Sequence, residues 1–165
     1  MKKSSAGYLK NKGFTLIELM ITISLIGFIS VVGIASFVNF NRSQTLQTGA
    51  NDFVTALNFA KASAASQVKP KTSATACKAG TSLTSYQVII NTNSTYSVVA
   101  VCTDGQVVVS NSPLPKDITF SAGDVSKNIS FSLLTGGVGA NQVTINGYSQ
   151  TKIINIDNIG KITVQ

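Results

Sequence analysis

The sequence contains no histidine and no tryptophan, only two cysteines, three prolines and six acidic residues in 165. Without histidine there is no imidazole general base, no Ser-His-Asp arrangement and no His-ligated metal. The acids are Glu18, Asp52, Asp104, Asp117, Asp124 and Asp157, all isolated along the chain, so no paired acid/base site is suggested. These absences point away from an enzyme, and no cofactor is implied. The segment Thr135-Gly136-Gly137-Val138-Gly139 lacks the lysine, spacing and following helix of a phosphate-binding loop and reads as a flexible connection.

What the sequence has is an uneven distribution of charge and apolar residues. Lys2, Lys3, Lys10 and Lys12 stand without an acid in the first thirteen residues, so four of the seven net positive charges belong to a short head. Behind it, Phe14–Phe40 carries one charged residue, Glu18. As a helix this run would extend about 40 Å at roughly 1.5 Å per residue, enough for a hydrocarbon core of about 30 Å. The preceding lysines predict a cytoplasmic N-terminus and place the residues after about 40 across the membrane. A secretory signal is the alternative, but the pattern continues past Gly27 and Gly33-Ile34-Ala35 without a convincing cleavage site.

Glu18 is costly in such a segment, by roughly 2.5–3.5 kcal/mol near its middle and less near an end. A carboxylate snorkelling to the headgroups is one reading. In another, cleavage before Phe14 creates an α-amino group that Glu18 of a neighbouring helix can meet, so that the ion pair sets the axial register in a bundle.

Beyond Phe40 the helix turns amphipathic: Leu46, Ala50, Phe53, Leu57, Ala60 and Ala64 draw one stripe, predicting a helix from Phe14 to about Gln67 that Pro70 terminates. From Thr72 onward the period changes to two. Short runs at Tyr86–Asn91, Thr95–Cys102, Gln106–Ser110, Ile118–Ser121, Ile129–Leu133, Gln142–Asn146, Thr151–Asp157 and Lys161–Val164 read as strands between turns. The expected class is α+β, one long N-terminal helix, half transmembrane and half amphipathic, packed on a C-terminal antiparallel sheet. Cys77 and Cys102 fall on the extracytoplasmic side of this topology, where a disulfide is the default and two buried thiols the alternative.

The stretch Lys10-Asn11-Lys12-Gly13-Phe14-Thr15-Leu16-Ile17-Glu18-Leu19-Met20 resembles the class III signal of type IV pilins and type II secretion pseudopilins. The resemblance implies cleavage between Gly13 and Phe14 by a prepilin peptidase, N-methylation of Phe14 and a role for Glu18 in assembly. It divides the chain into a leader (1–13), a transmembrane and assembly helix (14–40) and a soluble pilin-like domain (41–165). Ala56-Leu57-Asn58-Phe59-Ala60-Lys61-Ala62-Ser63-Ala64-Ala65 and the closing strands more loosely resemble GspH/FimT-type minor pilins. The implied protein is a minor pilin or pseudopilin of a type IV pilus or type II secretion pseudopilus. It would be anchored in the bacterial inner membrane by a single span, with a periplasmic or extracellular C-terminal domain, and its partners would be other pilin subunits. The alternative implied by FimT-like relatives is DNA binding during transformation, for which Lys69, Lys71, Lys78 and Lys161 are the candidate contacts.

Overall fold

The computed structural model describes residues 13–70 and 77–165, with the side chains of 31–33 and 35 set aside. The leader up to residue 12, and Lys71, lie outside the described residues. Compact units divide at Asn39/Phe40. The first holds the start of α1, Leu16–Ala65, whose described apolar side chains are exposed, from Leu16 and Ile17 through Phe28 and Ile29 to Phe37. Among the described residues no helix is long and apolar enough to cross a membrane.

The second unit contains the rest of α1 and eight strands. Leu46, Ala50, Phe53, Leu57, Ala60 and Ala64 are all at most 1% exposed, so the amphipathic stripe is the face α1 presents to the sheets. The helix stops at Ala65, before Pro70 is reached. Gln67 takes φ 52°, Val68 N–H donates to the Ser63 carbonyl and Gln67 N–H to that of Ala64. This is a Schellman ending, with glutamine in the left-handed position usually given to glycine. Pro70 therefore follows the terminus instead of causing it.

The strands form two sheets, where one was expected. β1 (Leu83–Ile90), β2 (Thr95–Cys102), β3 (Gly105–Pro113) and β5 (Asn128–Ser132) run in the order β3-β2-β1-β5. β4 (Ile118–Phe120), β6 (Asn141–Gly147), β7 (Gln150–Ile156) and β8 (Ile162–Val164) run β4-β6-β7-β8. Every pairing is antiparallel. The division occurs because β4 pairs with β6 while β5 returns to β1. Period-two patterning marks strands but carries no information about such non-local partners.

Three rings join the layers. Phe53 of α1 lies 5.1 Å from Tyr96 of β2 and 5.1 Å from Phe120 of β4, and the last two are 6.1 Å apart, all edge-on. Such geometry sets the positive ring edge against the negative face. A buried Asp124 in the turn Ala122–Asp124 accepts from Thr144 N–H of β6 at 2.7 Å and pairs with Lys127. That satisfies a charge that would be expensive to bury alone.

Candidate functional site

The N-terminal end of α1 is built on Thr15. Its hydroxyl oxygen accepts from Glu18 N–H at 3.3 Å and its carbonyl from Leu19 N–H at 3.2 Å, making Thr15 the N-cap and Glu18 the third helical residue. Thr-Leu-Ile-Glu is thus the S/T-x-x-E spacing of a capping box, a signal legible in the sequence but overshadowed by the question of Glu18's charge. A carboxylate in the first turn also faces the positive end of the helix dipole. Glu18 therefore has a local role within its own helix, besides any that a neighbour would supply.

Gly13, Phe14 and Thr15 precede the helix, and with Glu18 they line a cleft of about 360 Å³. Phe14 is 83% exposed, and a Cβ built on Gly13 would meet nothing within 4 Å. Among the described residues nothing packs against Gly13 closely enough to require glycine there.

Cys77 and Cys102 form a disulfide with Cα atoms 5.3 Å apart, joining the segment before β1 to the end of β2. Asp104 lies beside it, its carboxylate accepting from Cys77 N–H at 2.8 Å and Lys78 N–H at 3.1 Å. Partial desolvation pushes Asp104 upward. The hydrogen bonds from Lys78, Cys77, its own N–H and Thr81 outweigh that and hold the carboxyl below its ordinary 3.8. Cys77, Cys102 and Asp104 are close enough to suggest a metal cluster, but both sulfurs are consumed in the disulfide and are not thiolate ligands.

The four lysines named for DNA divide differently from the sequence expectation. Lys69 Nζ donates to the Lys78 carbonyl at 3.0 Å and to the carbonyl and hydroxyl of Thr81, so its cation is engaged by the loop before β1. Lys78 is exposed beside it, while Lys161 is exposed on the turn before β8. Lys71 is outside the described residues. Lys61, not among those four, reaches Gly160 and donates to its carbonyl at 2.8 Å. A Cβ on Gly160 would lie 2.7 Å from the Gly136 carbonyl oxygen, so close approach requires glycine there, while one on Gly136, at φ 60°, would lie 3.0 Å from Lys61 Cγ. This lysine clamps two inter-strand turns to α1.

Compared with known proteins, the chain matches the family model described as the prokaryotic N-terminal methylation motif, over residues 8–34. No curated protein and no solved structure matches it. The motif points to a pilin-type structural protein instead of an enzyme. Taken with an N-terminal helix packed on an antiparallel β domain, the motif places the chain as one consistent with a type IV pilin or pseudopilin.

Proposed function

We propose that the protein is a minor pilin or pseudopilin, a subunit of a type IV pilus or type II secretion pseudopilus that works by association and not by chemistry. The observation that carries this reading is the methylation motif at 8–34, lying across the start of a 50-residue helix whose described apolar side chains before Phe40 are exposed. Prepilin peptidase cuts between Gly13 and Phe14, and Phe14 becomes the N-methylated first residue. The sequence 14–40 holds the subunit in the inner membrane before assembly, and the domain from 41 onward lies outside the cytoplasm. On extraction into the filament, Glu18 meets the terminal amine of a neighbouring subunit and fixes axial register. A missing partner in a low-dielectric bundle is costly, which makes the register selective.

Mass spectrometry of the mature N-terminus tests processing. The expected result is a chain beginning at methylated Phe14, and an intact Met1 or a start beyond Gly27 would refute it. Glu18→Ala is expected to be cleaved normally but to enter filaments poorly. DNA binding is the second reading, supported by the exposed cations Lys78 and Lys161. Engagement of Lys69 by backbone carbonyls weakens it, and the assembly reading is the one adopted. A DNA probe that fails to shift with the domain at low salt would remove it altogether.

A further inference from the structure

Arg42 follows Phe40, the last residue of the apolar sequence, by two positions, about 3 Å along a helix. It is exposed, and its guanidinium carbon lies 5.5 Å over the centroid of the Tyr148 ring. Tyr148 and Ser149 form the two-residue turn between β6 and β7, with Gly147 opposite Gln150. Their φ angles are 52° and 61°, left-handed values that this turn type normally assigns to Asn-Gly. A bulky aromatic held there is unusual, and such conformations gather at functional sites. The Tyr148 hydroxyl donates to Asp117, which is also left-handed at φ 64°. Exposed Lys116 sits next to it, on a connection whose Pro115 Cδ would lie 3.1 Å from a Cβ on Gly49 of α1. The β6–β7 turn and the β3–β4 connection are therefore brought to the first turns of α1 beyond Phe40, where Arg42 of the helix and Lys116 of the connection supply two cations beside an amphipathic ring. Asp117 among them accepts from the Tyr148 hydroxyl and opposes one of the two cations, so both are needed for net attraction.

We propose that Arg42, Lys116 and Tyr148 form a docking site for anionic phospholipid headgroups, which seats the base of the domain on the membrane while the subunit is stored there. This rests on the membrane-anchored reading above. The occupant follows from charge and level. A headgroup layer is roughly 5–7 Å thick on each side of the hydrocarbon, so Arg42 falls within it. Arginine flanking a span and tyrosine with an apolar body and a polar tip are the side chains suited to that layer. Each basic residue at an anionic surface adds to attraction, and two act together here.

The full chain is reconstituted in phosphatidylcholine vesicles with or without phosphatidylglycerol, with a fluorophore on Ser149→Cys or, as a distant control, on exposed Ile159→Cys. The native cysteines are paired and do not compete for label. The Ile159 turn adjoins the Gly160 carbonyl held by Lys61, about 28 Å further along α1 than Arg42. Headgroup-attached nitroxide should quench the Ser149 label when phosphatidylglycerol is present and leave the Ile159 label unquenched. Arg42→Gln and Lys116→Gln should each weaken docking about fivefold. Tyr148→Gly relieves the left-handed backbone but removes a ring packed against the core, so docking is read at a temperature where the variant is still folded, and it should fall there. Equal quenching at the two positions, or quenching indifferent to phosphatidylglycerol and to both cations, overturns the site. Failure of the chain to float with vesicles overturns the membrane-anchored reading as well, and flotation scores that separately.

Discussion

Phe53 is fully buried on α1 and touches an aromatic ring from each sheet, so one side chain fills the space where three layers meet. Phe53→Ala leaves a cavity that rings fixed on two different sheets cannot both collapse into. A loss of about 3–5 kcal/mol is expected, read as a lowered denaturation midpoint. The ionisable residues act at opposite ends of the pH scale. Asp104 is held below 3.8 in the folded chain, so its contribution is present above 3.8 and is lost as pH falls through the folded value. Asp104→Asn should accordingly be less stable than the parent at neutral pH, and the two denaturation midpoints should converge in acid. Tyr86 and Tyr96 run the other way. Desolvation raises both above 10.0, joined at Tyr96 by the Asp52 carboxylate. Their contribution is intact below 10.0 and is lost as pH rises past it, so alkaline unfolding should begin above 10.0 and be delayed in Tyr96→Phe.

At the scale of elements, what could be read from the sequence was what local chemistry encodes. The stripe from Leu46 to Ala64 is the buried face of α1, and β2 has the bounds Thr95–Cys102 expected from its alternation. The Thr15 cap stood in plain view as Thr-x-x-Glu. The helix end falls at Ala65, within two residues of the expected Gln67, but the device that makes it was not legible, because Gln67 in a left-handed conformation has no compositional signature and Pro70 is the conspicuous breaker. The grip of Lys61 on Gly160, 99 residues away, and of Lys69 on the loop before β1 were equally invisible, since side-chain reach across the fold is decided by topology. Two substitutions separate these terminal devices. Gln67→Gly should stabilise by about 0.5–1 kcal/mol, because glycine takes the left-handed position without a Cβ penalty. Gly160→Ala, with φ 73° and a carbonyl oxygen 2.7 Å from the new methyl, should destabilise by about 1–3 kcal/mol. Thermal midpoints of the two variants should move in opposite directions.

For the whole molecule, the disulfide closes a loop of sequence separation 25 that includes all of β1 and β2. Its reduction should cost about 3 kcal/mol, measured as the difference between denaturant curves with and without reductant. The fit of chain to role is also clearest at this scale, where a compact domain without paired acids or histidine follows a segment marked for methylation. The triangle of Phe53, Tyr96 and Phe120 has a mechanical consequence. A pull applied along α1 loads both sheets at these three rings as well as along the rest of its buried stripe, so the sheets are loaded together and yield in shear. Such a domain should break in a single high-force event when stretched by its helix, and Phe53→Ala should split that event into two weaker ones.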